Sequence, residues 1–204
     1  MQADQGDQMK VNRFLTVMSL FQLSLLLSLI TAQAQAQEAP KVEVFVGPSY
    51  RQIERTAPFA GSNLAGWNTS QTYNFNNWLG LVADFGGHYG SFQSVNGKIT
   101  GHRHTFMGGP RLSYRSGSRW TPFVHVLIGA EQANFSFNQT TPSPIKFKFG
   151  RTGLAFAPGI GVDVKINDRF AWRVVQLEYL LTRSRGDNFF NLRASTGLII
   201  RFGK

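Results

Sequence analysis

From Lys41 onward, apolar and polar residues alternate with a period of two rather than 3.6, the mark of strands with two chemically different faces. The first run sets Val42, Val44 and Val46 against Glu43, Phe45 and Gly47. The third sets Leu79, Leu81, Ala83, Phe85 and Tyr89 against Asp84, Gly86 and His88, and the fifth sets Val124, Val126, Ile128 and Ala130 against His125, Gly129 and Glu131. In the sixth, Leu154, Phe156, Ile160, Val162 and Val164 oppose Ala155, Ala157, Gly159, Gly161, Asp163 and Lys165. The last sets Phe190, Leu192, Leu198, Ile200 and Phe202 against Asn191, Arg193, Ser195, Gly197 and Arg201. Weaker runs over about Ala65–Asn76, Arg103–Arg115 and Phe170–Thr182 bring the count to eight.

The runs are about 9–15 residues long, against a mode near 5–6 for soluble strands, and match the 9–11 residues that a tilted strand needs to cross the hydrocarbon layer. Connections alternate in size. Asn76-Asn77, Ser116-Gly117-Ser118 and Asn167-Asp168 form tight turns, whereas Ile53–Leu64, Ser91–Gly101 and Asn138–Phe147 are long and polar; the link around Gly186-Asp187-Asn188 is intermediate. Short turns on one side and long loops on the other, with an even strand number and both termini on the short-turn side, describe an outer-membrane barrel. A lipocalin-like barrel or a β-sandwich also has period two, but its outer face needs many charges, and here one face is largely apolar. Trp78, Trp120 and Trp172 each follow a short turn, the level of an interfacial aromatic girdle. Trp78 and Trp172 fall on the polar parity of their runs, which calls for a bulge or a different register.

Composition adds to this picture. The 204 residues include 18 Phe, 5 Tyr and 4 Trp but only 16% charged residues, and the absence of cysteine removes disulfides, thiolate metal sites and lipidated cysteine together. The charge of +10 alone points to nucleic acid or an anionic membrane. The N-terminus redirects it. Lys10 and Arg13 precede an apolar stretch from Phe14 to Ile30, followed by Thr31-Ala32-Gln33-Ala34-Gln35-Ala36, the tripartite pattern of a secretory signal with cleavage near Ala34 or Ala36. A retained signal anchor is the alternative reading, and Met9 is a more typical signal start than Met1. The expected organisation is thus a cleavable helical signal peptide over residues 1–36 and a β-barrel domain over 37–204, exported through the Sec pathway, with no nucleic-acid partner.

Three segments carry a family resemblance: VADFGGHYG (Val82–Gly90), TPFVHVLIGA (Thr121–Ala130) and the terminal NLRASTGLIIRFG (Asn191–Gly203). With the signal and the eight runs, the chain resembles the small outer-membrane β-barrels similar to the transmembrane domain of outer membrane protein A. The resemblance covers Lys41 to Lys204. It implies an all-β, eight-stranded antiparallel up-and-down transmembrane barrel, monomeric, surrounded by outer-membrane lipid and lipopolysaccharide. It also implies that the barrel-assembly machinery reads the last strand, which departs from the usual pattern in ending Phe202-Gly203-Lys204. No periplasmic wall-binding domain is expected.

An eight-stranded barrel is just wide enough for side chains to fill it. Parity places Glu43, Asp84, His88, Arg111, Arg115, His125, Glu131, Asp163, Lys165, Glu178, Arg193 and Arg201 inside, where charges are stable only if paired. A plugging ion network is the expectation; a narrow ion conduit, or a proton-linked site on His88 and His125, is the alternative. Arg51, Arg55, Arg103, Arg183 and Arg185 lie near predicted loop ends, where guanidinium groups suit the phosphates of outer-leaflet glycolipid. His102-Arg103-His104 stands at a loop-to-strand junction without a serine elbow or a third metal ligand, so no catalytic residue, metal or cofactor is assigned. Asn68 and Asn138 match glycosylation sequons and are read as turn chemistry. The functional expectation is a structural, adhesive or envelope-integrity role, with a lipid-modifying enzyme or a small-solute channel as alternatives.

Overall fold

The computed structural model describes residues 39–53, 63–94, 97–139, 145–184 and 187–203. The predicted signal segment, Arg55 and Arg185 lie outside the described residues. Eight antiparallel strands close into one barrel in sequence order: β1 (Val42–Ile53), β2 (Asn63–Asn74), β3 (Leu79–Ser94), β4 (Gly97–Ser113), β5 (Trp120–Gln139), β6 (Ile145–Lys165), β7 (Phe170–Ser184) and β8 (Asp187–Phe202). Closure comes from β1 against β8, with Val42 opposite Phe202 and Ile53 opposite Asn191, so both ends of the barrel domain lie at the short-turn side. Each short turn is closed by its own polar side chain. Asn76 Oδ1 accepts from the Trp78 and Leu79 amides, Asn167 Oδ1 from the Arg169 and Phe170 amides, and Ser118 Oγ from the Trp120 amide. Such side-chain-to-backbone bonds are why Asn and Ser stand there.

Exposure alternates along the strands as the sequence pattern requires, with the large apolar side chains outside. Leu81, Phe85, Phe106, Val126, Ile128, Leu154, Ile160, Trp172 and Leu192 are all exposed, while the residues between them are mostly buried. This inversion of a soluble protein is the state required when the surrounding solvent is hydrocarbon. On β6 the apolar outer positions run from Leu154 to Val164, which at about 3.3 Å per residue and a tilt near 40° is a band about 25 Å tall. Trp120, Trp172, Tyr73 and Tyr114 mark its lower edge. Outer aromatic pairs tie neighbouring strands together: Phe85 and Phe106 stand opposite each other in register with an edge-to-face contact at 5.7 Å. Ile128→Arg is expected to cost about 2 kcal/mol in urea unfolding from lipid vesicles, and Gln132→Arg, one turn of the pattern above the band, less than about 0.5 kcal/mol.

Trp172 resolves the parity conflict. In β7 the pairing with β8 shifts between Arg173 and Gln176, so Val174 and Val175 are both exposed while Ala171, Arg173, Gln176 and Glu178 are buried. This is a β-bulge, and it turns Trp172 outward. Trp78 precedes β3 in its turn, so strand parity does not apply to it.

Five strands are longer than expected: β3 and β8 have 16 residues, β4 17, β5 20 and β6 21. The stretch Ser91–Gly101, expected as a long loop, is mostly strand, with only residues 95–96 between β3 and β4, and the expected loop Asn138–Phe147 contracts to residues 140–144. The apolar outer parity stops at Phe106, Ala130 and Leu154; above those points the outer face is polar and the apolar residues, Ala133, Phe135 and Phe149, move to the inner parity, a change that sequence periodicity reads as loop. Backbone pairing does not need an apolar face, so the sheet of β3 to β6 continues past the band by about 20 Å. Asn68 and Asn138 are strand residues, not turn residues as expected, and Asn68 points into the lumen and donates to Asp84.

Candidate functional site: the filled lumen and the outer rim

The lumen is filled by four stacked ion clusters. At the short-turn end, Glu43 accepts from Arg115 and Arg201, each at 3.1 Å. Above it Asp163 takes Arg111 at 2.6 Å and Arg173 at 2.8 Å. In the third tier the arrangement reverses, with one arginine between two carboxylates. Arg193 donates to Asp84 at 2.9 Å and through two nitrogens to Glu178, which also contacts His125 Nε2 at 3.0 Å. The fourth tier sets Glu131 between Arg51 and Arg103, both at 2.7 Å. Seven arginines thus face five carboxylates, an excess of two positive charges.

Further side chains position these groups. Arg111 and Arg173 lie over opposite parts of one aromatic neighbourhood, Arg111 at 3.8 Å and Arg173 at 4.6 Å from the Phe123 ring, with Arg173 also 4.4 Å from Phe45. Asn68 donates to Asp84 at 2.8 Å, and Thr182 Oγ1 donates to Glu131 at 3.2 Å. Gly86 and Gly159 make room for the third tier: a Cβ at Gly86 would meet Thr105 Oγ1 and Arg193 Nη1, and one at Gly159 would collide with His125 and Glu178. Val82, Met107, Leu127, Ala155, Ala157 and Leu180 pack the remaining cross-section into an apolar cluster. The interstice bounded by Ser70, Thr72, Val82, Asp84, Arg111, His125, Arg173 and Gln176 leaves no room for a water molecule.

Of the residues expected inside, Glu43, Asp84, His88, Arg111, Arg115, His125, Glu131, Asp163, Glu178, Arg193 and Arg201 are buried there. Lys165 is a correction: at the last position of β6 it reaches out of the lumen to the exposed turn residue Asp168 at 2.7 Å. Arg51 and Arg103, expected at the lipid-phosphate rim, are also corrections. They are 0% and 8% exposed and belong to the fourth tier. The signal was present, because Arg51 shares parity with Glu43 and Arg103 with Arg111; nearness to predicted loop ends was the wrong guide. Arg173, Gln176 and Thr182 were not foreseen, Arg173 because the bulge reverses its parity relative to Glu178. Arg183 is exposed on the outer face, opposite the lipid-facing Leu154, and so fits the rim expectation in position.

Among the described residues, two arrangements have the composition of a reactive site. Ser49 Oγ lies 2.9 Å from His88 Nε2, a pairing of hydroxyl and base, but both are buried, His88 Nδ1 has no partner to orient the ring, and Ser49 also contacts Ser195. A hydroxyl sealed in this way has no room for a substrate carbonyl. His102 and His104 lie within β4, not at its junction with a loop, and pack with Tyr89 on the outer face at ring distances of 5.8–6.5 Å.

The sequence profile described as the outer membrane protein beta-barrel domain matches residues 23–202. None of the curated proteins matches the chain. Among solved structures, the fold is similar to Ail, the attachment invasion locus protein of Yersinia pestis, with a TM-score of 0.59, 17% identity, and coverage of 79% of this chain and 99% of that one. It is likewise similar to Neisserial surface protein A, with a TM-score of 0.59, 10% identity, and coverage of 81% and 100%. At these identities the likeness concerns the fold.

Proposed function

Since the chain belongs to the outer membrane protein beta-barrel domain family, and so to the outer membrane of a diderm bacterium, we propose that it is a closed wall element whose activity is binding at the cell surface, with neither transport nor catalysis. The observation that carries this reading is the filled lumen: four ion tiers and an apolar cluster occupy the cross-section, while the part of the molecule free to meet a partner is the sheet projecting past the lipid. The names of the similar structures, an attachment protein and a surface protein, accord with it. The reading includes a monomer with no metal or cofactor and no nucleic-acid partner, exported through the Sec pathway after cleavage near Ala34 or Ala36 and inserted by the barrel-assembly machinery.

The test is conductance in a planar bilayer. Reconstituted barrel is expected to give no discrete steps at about 100–150 mV (about 2.3–3.5 kcal/mol per charge). Reproducible steps would move the function to transport, and a change in lipid A mass on deleting the gene would move it to catalysis.

The lipid contact is narrower than the five arginines first considered. Arg183 stands outward at the upper edge of the apolar band, where a guanidinium meets glycolipid phosphate bidentately. Arg183→Gln is expected to lower co-purifying lipopolysaccharide about twofold to fivefold without changing heat-modifiable gel mobility. Unchanged lipid content would remove this role.

A further inference from the structure

The short-turn rim is basic on one side only. Going round it from β5 to β1, each strand end carries a cation: Arg119 before β5, Lys165 at the end of β6, Arg169 before β7, Arg201 near the end of β8 and Lys41 before β1. Backbone bonds set them side by side. The Lys165 amide donates to the Arg119 carbonyl at 2.8 Å, the Arg201 amide to the Arg169 carbonyl at 2.8 Å and the Lys41 amide to the Gly203 carbonyl at 3.3 Å. On the other side, Tyr73 to Leu79 contains no charged residue, and Ser113 to Ser118 contains only Arg115, which turns into the lumen to Glu43.

Two of these cations have carboxylate partners, Lys165 in Asp168 and Arg201 in Glu43. Arg119, Arg169 and Lys41 are exposed and form no ion pair among the described residues. Next to the two arginines in the chain stand Trp120 and Phe170, which with Ile166 make an exposed apolar shelf on the lipid side. A molecule that answers both features has acyl chains for the shelf and a phosphate for the guanidinium groups, which hold phosphate bidentately. Arg119 and Arg169 flank β6 from the ends of β5 and β7, about 10 Å apart at two strand spacings, so two long side chains can meet on one headgroup. The turns favour a lipid over an acidic protein. Only residues 114–119 separate β4 from β5, and only 166–169 separate β6 from β7, so the cations stand at headgroup level and are not carried out into the periplasm. A zwitterionic headgroup sets its own ammonium against this arc, whereas an anionic headgroup is drawn to it.

We propose that the short-turn rim from Arg119 through Arg169 to Lys41 seats an anionic phospholipid of the inner leaflet, its phosphate between the two arginines and its chains on Trp120, Ile166 and Phe170. The proposal goes beyond the closed-wall reading and needs only the outer-membrane placement.

The test uses the full barrel with Trp120 as its sole tryptophan, Trp67, Trp78 and Trp172 being replaced by Phe. It is placed in vesicles of equal parts phosphatidylglycerol and phosphatidylethanolamine, with one or the other brominated in its chains. Quenching of Trp120 is expected to be about threefold or more stronger from brominated phosphatidylglycerol. With Arg119→Gln and Arg169→Gln together the two lipids should quench alike. Lys148→Gln with Arg151→Gln removes the same charge at the far end of the barrel and should leave the preference unchanged, every variant retaining heat-modifiable mobility. A barrel with Trp67 as its sole tryptophan, on β2, should show no preference. Millimolar inorganic phosphate should leave the Trp120 preference in place, because a free anion has no chains for the shelf. Equal quenching of Trp120 in the parent, a preference that survives Arg119→Gln with Arg169→Gln, the same preference at Trp67, or its loss to free phosphate would each overturn the proposal. Equal quenching combined with binding of polyglutamate that the Arg119→Gln, Arg169→Gln barrel loses would give the rim to an acidic protein instead. All of these leave the closed-wall reading standing, whereas conductance steps would remove that reading and not this lipid seat.

Discussion

A barrel carrying Arg193→Met is expected not to fold in lipid, and to migrate identically on a gel before and after boiling. Arg193 is 0% exposed and, among the described residues, is the one guanidinium that bridges Asp84 and Glu178. Removing it leaves two buried carboxylates without their guanidinium. Breaking one buried pair costs about 3–5 kcal/mol, and here two are broken, so the loss of about 5 kcal/mol or more is comparable to the whole stability of a domain of this size. Adding Asp84→Asn and Glu178→Gln to Arg193→Met is expected to restore most of the folded fraction, since uncharged amides need only hydrogen bonds. Arg201→Met makes a milder comparison: Arg201 lies at the mouth, 9% exposed, and Glu43 keeps Arg115. If Arg193→Met folds with an unchanged urea midpoint, the third tier does not hold the barrel together.

Stacking explains how the lumen tolerates twelve ionised side chains. Each tier is a triad: the first, second and fourth place a carboxylate between two arginines, and the third places an arginine between two carboxylates. The negative tier thus lies between positive ones and reduces the repulsion that two adjacent positive tiers would otherwise extend up the barrel. Buried ion pairs add little net stability over apolar packing, but they penalise error. A one-residue slip in any strand but β2, which carries none of these ions, would send an arginine or a carboxylate toward lipid, so these pairs fix the register of seven of the eight strands.

Much of this arrangement is legible in the chain. The period of two, the short turns and the inward parity of Glu43, Asp84, Glu131, Asp163, Glu178 and Arg193 follow from spacing alone, because pairing forces alternate residues to opposite faces. What spacing does not carry is partnership between distant strands: that Arg51 of β1 meets Glu131 of β5 depends on barrel closure and strand tilt. Nor does it carry the upper parts of β4, β5 and β6, where the outer face turns polar and the apolar residues change parity while hydrogen bonding continues. The reassignment of Arg51 and Arg103 follows from this. Residues such as Arg103 that look like loop ends on composition are interior on register.

Deleting Val175 is expected to change the stability of the barrel by less than about 1 kcal/mol, because the deletion takes out the one extra residue that the bulge accommodates and leaves every ion in place. The bulge at Val174 and Val175 is the step that lets Arg173 and Glu178, an odd and an even position, both face the lumen. Without Val175 the two are separated by an even step, and a straight strand keeps Arg173 opposite Gly197 and Gln176 opposite Ser195. Arg173 then stays against Asp163 and the faces of Phe45 and Phe123, and Trp172 stays outside. Val175→Ala keeps the bulge and is expected to cost less than about 1 kcal/mol, since it removes only two lipid-facing methyl groups. Trp172 reports the parity directly. With Trp67, Trp78 and Trp120 replaced by Phe, brominated lipid should quench its fluorescence in the parent, in Val175→Ala and in the deletion variant. A deletion variant with a strongly lowered urea midpoint and an unquenched Trp172 would mean that the extra residue does not set the parity of β7.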